Sequence, residues 1–281
     1  MTSLLPVNGV ELCVDTFGSP ADPAILLIHG GSASMDHWEP EFCERLAAGP
    51  RYVIRYDHRD TGQSTTYEPG NPQYTGADLV ADPIGILDAL KIDKAHLVGL
   101  SMGGAIVQQL AVEHPDRVAS MTVAATSPSG PSDPDLPPPT EKLSASFSEE
   151  APPIDWADTE SALDRLIEDD RLYAGTLPYD EPARRALYAH AFARSINPAS
   201  ATNHWAVAPG GSIRGSLADI AVPALVLHGT EDPLFPPAHG EAIAREIPGA
   251  RLVLLEGAGH EIPRPTWDTA IPEILAITET K

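Results

Sequence analysis

The ten residues Ala95–Gly104, AHLVGLSMGG, constrain this chain more than any other stretch. A short apolar run, Ala95–Leu100, leads directly into Ser101, and Gly104–Glu113 continues with apolar residues at helical spacing. A buried strand, a sharp turn and a helix are expected in that order. The spacing Gly99-x-Ser101-x-Gly103 has a steric reason. A serine raised on a strand-to-helix turn has crowded neighbours, so the residues two before and two after it must be small. The first amides of the following helix point at the place where charge would develop on a substrate oxygen. Ser101 is therefore the candidate nucleophile, and the Met102 amide a candidate oxyanion donor.

The surrounding sequence alternates strand and helix patterns. Strands are expected at Val10–Phe17, Ala24–Ile28, Tyr52–Tyr56 and Val118–Ala125, and helices at Trp38–Ala48 and Gly76–Leu90. Pro83 inside the second helix predicts a kink or a late start. Such alternation means a mostly parallel sheet with helices on both faces, the α/β class. The pattern breaks after Ser127: six of the twelve residues Pro128–Pro139 are proline. Helical periodicity follows at Ser161–Asp170, Pro182–Ser195 and near Ala199–Val207, with no evident strand. The alternation resumes with Val222–Leu227, His239–Ile247, Arg251–Leu255 and Thr266–Ile277. Residues 1–127 and 216–281 are thus expected to form one core domain, and residues 128–215 an inserted helical cap.

In an open parallel sheet, ligands bind beyond the C-terminal ends of the strands. Three residues of complementary chemistry fall there: Ser101, Asp232 after Val222–Leu227, and His260 after Arg251–Leu255. A serine hydroxyl needs a base to take its proton and a carboxylate to orient that base. Of the 10 histidines, only His260 follows the last strand on a glycine-rich loop. Asp232 is favoured over its neighbour Glu231 as the acid, because it fits the chain order Ser, Asp, His. A second oxyanion donor is expected from His29–Gly30–Gly31–Ser32, with Gly31 the best placed. His29, Trp38, Phe147, Trp156 and Trp205 are candidate substrate contacts, aromatic rings suited to a flat ligand.

The chain has 281 residues and a formal net charge of −22, which opposes binding to nucleic acid or to an anionic membrane. Neither a signal peptide nor a membrane span is read from it, so the expected compartment is the cytoplasm. Cys13 and Cys43 are expected as buried thiols, with a bridge as the alternative. No Cys/His cluster has metal spacing, and neither metal nor cofactor is expected.

The motifs His29–Gly30–Gly31, Asp57–His–Arg–Asp–Thr–Gly–Gln–Ser64, Gly99–Leu–Ser–Met–Gly103, Gly229–Thr–Glu–Asp232 and Gly259–His260 stand in the order seen in the α/β-hydrolase superfamily, which the chain resembles outside the cap. Val53–Gly62 with Gln63–Thr66, and His96–Gly103, are similar to the methylesterases of actinobacterial antibiotic pathways, the aclacinomycin methylesterase-like group, to which streptonigrin methylesterase is related. The resemblance implies hydrolysis of a methyl ester on a polycyclic natural product, with the cap over a large apolar pocket. Serine at the elbow argues against the epoxide hydrolases and haloalkane dehalogenases of this superfamily, which carry aspartate there. A cofactor-free haloperoxidase or perhydrolase, a general carboxylesterase or lactonase, and a non-catalytic small-molecule receptor are the other readings.

Overall fold

Strands with alternating inward faces form the frame of this computed structural model, which describes residues 2–128, 135–148, 153–207 and 213–279. Eight strands build one sheet: β1 (Ser3–Val7), β2 (Val10–Phe17), β3 (Ala24–Ile28), β4 (Tyr52–Tyr56), β5 (Ala95–Leu100), β6 (Val118–Ala124), β7 (Ala224–Gly229) and β8 (Arg251–Leu255). Their spatial order is β1-β2-β4-β3-β5-β6-β7-β8. Only β2 runs against the others.

The period of two divides each central strand between two cores. In β3, Leu26 and Ile28 join one apolar cluster while Ile25 and Leu27 join the other; Val226 and Leu227 divide β7 likewise. One cluster is closed by α2 (Gly76–Ala89) and α3 (Met102–Glu113), the other by α1 (Pro40–Ala47) and the C-terminal helix. Burial on both faces is why β3 and β7 read as continuous apolar runs.

Some boundaries differ from expectation. The first helix begins at Pro40, not Trp38, because proline suits the first helical position. Trp38 precedes it and stacks on Phe42 with ring centroids 5.5 Å apart. Helix α2 starts at Gly76 and continues through Pro83, so there is no late start. A capping box holds its N-terminus: Asp78 accepts from the Thr75 amide at 2.7 Å and from its hydroxyl at 2.8 Å. Strand β1 was not expected. It is a short edge strand containing Pro6, and only Val7 of it is buried.

Between β6 and β7 lie α4 (Glu141–Ser148), α5 (Thr159–Tyr173), α6 (Glu181–Arg194) and the short α7 (Asn203–Ala206), with no strand among the described residues. Part of the proline-rich stretch, residues 129–134, lies outside the described residues. Asp158 and Asp180 cap α5 and α6. These helices join the core through buried polar contacts. Arg194 of α6 gives two bonds to Asp57, at 2.7 and 2.6 Å, and one to Asp36 at 2.8 Å. The Asp57 side chain is fully buried. The chain closes with α8 (Ala238–Glu246) and α9 (Trp267–Ile277). No helix of the described residues is long and apolar enough to cross a membrane. Cys13 and Cys43 are separate, buried thiols. Burial is the main reason that their pKa values rise, to about 11 and about 12.

Candidate active site

Ser101 stands at the end of β5 with φ 55° and ψ −116°, a left-handed conformation that an L-residue holds only when its surroundings enforce it. The flanking glycines make room for it. A Cβ on Gly99 would meet the Gly103 carbonyl at 2.2 Å, and one on Gly103 would meet the Ile28 carbonyl at 2.0 Å. Strand, turn and helix are therefore packed backbone to backbone at the elbow.

His260 Nε2 lies 2.8 Å from Ser101 Oγ, and its Nδ1 lies 2.9 Å from Asp232 Oδ2 and 3.1 Å from Oδ1. A carboxylate can only accept, so Nδ1 carries the proton and Nε2 is free to accept from the serine. Asp232 is 2 % exposed. Its Oδ1 also accepts from the amides of Leu234 and Phe235, each at 2.9 Å. Burial pushes this carboxyl up, but His260 and the Phe235 amide outweigh burial and hold it below its ordinary value. His228 Nε2–H donates to the Phe235 carbonyl at 2.7 Å, shaping the loop that carries the acid.

The loop bearing His260 is clamped. The His260 amide donates to the Tyr173 carbonyl at 2.9 Å, and the Thr176 amide donates to the Gly257 carbonyl at 2.9 Å. A Cβ on Gly259 would meet the Tyr173 carbonyl at 2.1 Å. Glycine there permits close packing against the end of α5.

Beside Ser101 runs the 29–32 loop, and the amides of residues 30–32 differ in their partners. The Gly30 amide donates to His29 Nδ1 at 2.8 Å, and the Ser32 amide to His204 Nδ1 at 2.8 Å. Among the described residues the Gly31 amide has no such partner. Gly31 also lies against Met102, 3.8 Å separating the position of its would-be Cβ from Met102 Sδ. Gly31 and Met102 thus pack side by side, one on the loop and one in the first turn of α3.

A cavity of about 390 Å³ opens above Ser101, large enough for a drug-sized ligand. His29 and Trp38 line it, with Trp205 on its wall although that residue is 73 % exposed. Trp156 does not line it; it stacks on Phe192 and borders a second cavity of about 200 Å³. Phe147 lines neither cavity. Helix α4 buries only Leu143, and Phe147, one turn on, faces solvent. The α5–α6 wall supplies residues that the sequence pattern did not single out. Asp170 binds Arg184, with Nε at 2.9 Å, and accepts from the hydroxyls of Tyr179 at 2.8 Å and Tyr188 at 2.9 Å. Glu261, next to His260, lines the same wall, 3.6 Å from Arg184. Burial pushes its carboxyl up, against the opposing pull of Arg184.

Six histidines of the chain are held neutral. Burial lowers the pKa values of His29, His37, His58, His96, His204 and His228, with His58 pushed down to about 3. In the unfolded chain these rings titrate near 6.5. Between the two values the unfolded state binds more protons, so stability is full above pH about 6.5 and falls as the pH falls. Thermal unfolding midpoints should drop steadily from pH 6.5 towards 4. His58→Gln, which can still donate to the His29 carbonyl, should reduce that slope by about one proton. Midpoints that do not change over this range would contradict the burial reading.

Residues 23–263 match the model of the alpha/beta hydrolase fold. The chain belongs to the alpha/beta hydrolase family. Within it, the chain is 35% identical over 294 aligned residues to rhodomycin D methylesterase DauP of Streptomyces sp. (strain C5), covering 99% of this chain and 98% of that protein. It is 33% identical to rhodomycin D methylesterase DnrP of Streptomyces peucetius over the same shares. Among solved structures, the enol-lactonase from Burkholderia xenovorans LB400 superposes with a TM-score of 0.77 at 26% identity, covering 99% of this chain and 100% of that one. The family's mostly parallel eight-stranded sheet is the one described above.

Proposed function

We propose that this protein is a serine carboxylic ester hydrolase that cleaves a methyl ester on a polycyclic natural product. The observation that carries the chemistry is the continuous chain from Ser101 Oγ through His260 to Asp232, with contacts of 2.8 and 2.9 Å. His260, held in its Nδ1–H tautomer by Asp232, takes the serine proton as Ser101 attacks the ester carbonyl. The amides of Gly31 and Met102 receive the developing oxyanion. Methanol departs with the proton from His260. Water, activated by the same imidazole, then cleaves the acyl-enzyme to the free acid.

The substrate class rests on two supports. The similarity to the rhodomycin D methylesterases extends over the whole chain. The cavity over Ser101 is walled by aromatic side chains, among them Trp38, Tyr173 and Tyr188, which suit a flat ring system. The helices of residues 128–215 act as the cap over that cavity. The two unbridged thiols suit a reducing, cytoplasmic setting. The test is incubation with a panel of polycyclic methyl esters, simple alkyl esters and lactones, followed by mass spectrometry. The expected product is an acid about 14 Da lighter than the methyl ester, formed by acyl transfer to water. Turnover of lactones alone would replace the methylesterase reading with a lactonase.

A further inference from the structure

The 29–32 loop is held from the side of the inserted helices, and the holding group is a histidine with no other evident task. His204, on α7, is 7 % exposed. Its Nδ1 accepts the Ser32 amide at 2.8 Å, and its Nε2–H donates to the Arg59 carbonyl at 2.8 Å. These two partners fix the neutral tautomer, since an amide can only donate and a carbonyl only accept. Ser32 has φ 62°, a left-handed conformation unfavourable for serine. Its amide and its hydroxyl are tied to the same segment, because Ser32 Oγ also donates to the Ala201 carbonyl at 2.8 Å. Asn203, beside His204, anchors that segment to the core by donating to Asp60 at 2.9 Å and to the Glu68 carbonyl at 3.1 Å. The neighbouring Trp205 ring reaches within 3.8 Å of the would-be Cβ position on Gly31.

From this arrangement we infer that His204 is a positioning residue for the oxyanion site. By holding Ser32 in its left-handed conformation, it sets the direction of the Gly31 amide one residue earlier. The same turn that walls the cavity with Trp205 thereby aligns the electrophilic pole of the site. This inference rests on the hydrolase reading above, in which Gly31 receives the oxyanion.

The test compares His204→Ala, His204→Asn and His204→Gln with the unaltered protein and with Ser101→Ala. Hydrolysis of p-nitrophenyl butyrate and the rate of covalent labelling by an alkyl fluorophosphonate are measured, since phosphonylation also places an oxygen between the two amides. Asparagine keeps an acceptor near the Nδ1 position, whereas glutamine keeps only a donor near Nε2. His204→Ala is expected to lower kcat about 10- to 100-fold with KM nearly unchanged, the cost of a donor misplaced by about 1 Å. Labelling should slow in parallel. His204→Asn should recover most of the lost rate and His204→Gln should not. Equal kcat in the asparagine and glutamine variants, or a loss confined to KM, would overturn the inference, and that pair decides the matter even where the alanine variant fails to fold. Full activity in Ser101→Ala would instead overturn the hydrolase reading itself, so the two failures are distinct.

Discussion

Ser101→Ala is expected to reduce kcat for ester hydrolysis by about 10⁶-fold while leaving the fold and ligand binding intact. The expected loss is large because the three side chains are proposed to act as a unit. Without Oγ, His260 has no proton to take, and water must attack the ester in its place. The size of the remaining rate is itself informative. The Gly31 and Met102 amides stay in position, so some acceleration over water, on the order of 10³-fold, should persist. The elbow should also relax on substitution only slightly, because its conformation is enforced by the contacts of Gly99 and Gly103 and not by the serine side chain. Steady-state kinetics and a thermal unfolding scan on the same preparation check both halves of this expectation.

Asp232→Asn should cost about 10⁴-fold in kcat, and the hydrogen bonds around the acid explain why a neutral, same-sized side chain fails. Asp232 Oδ1 accepts two amides, from Leu234 and Phe235, each at 2.9 Å. An asparagine would keep its carbonyl oxygen on those donors and turn its NH₂ towards His260. The NH₂ can only donate, so Nδ1 must become the acceptor and the proton moves to Nε2. The ring then presents a donor to Ser101, where the reaction needs an acceptor. Loss of rate should therefore accompany a change of tautomer, visible in the nitrogen NMR resonances of His260. A variant slowed 10⁴-fold with its tautomer unchanged would mean that the carboxylate acts by charge and not by orientation.

Much of this candidate site was legible in the sequence because each of its proposed reacting groups follows an apolar run. Ile28, Leu100, Gly229 and Leu255 close strands β3, β5, β7 and β8, and the residues beyond them converge because parallel strands end on one side of the sheet. Residue type then sorted the candidates: serine between glycines, aspartate in a turn, histidine on a glycine loop. The cavity wall was not legible in this way. Helix α6 buries only Ala191 fully, so its sequence carries no strong inward face. Arg184 and Asp170 read as charges on solvated helices, yet they meet across α5 and α6 with Tyr179 and Tyr188. Only the docking of that helix pair over the sheet brings them to the cavity. Trp156 and Phe147 show the converse. Aromatic type alone marked both as substrate contacts, yet Phe147 on α4 is exposed and Trp156, in the turn before α5, stacks on Phe192, so neither lines the cavity at Ser101. His204 falls within the expected cap, residues 128–215, but its two backbone partners lie 172 and 145 residues away in sequence, beyond any local pattern.

Ser101 is proposed as the nucleophile that carries the acyl group, and treating the protein with an alkyl fluorophosphonate and locating the adduct by peptide mass spectrometry reads this role out. One adduct per chain is expected, on Ser101, formed in step with the loss of esterase activity and absent from His260→Ala, where no base remains to activate the serine. Complete loss of activity with Ser101 unmodified, or full esterase activity in a protein quantitatively labelled at Ser101, would contradict it.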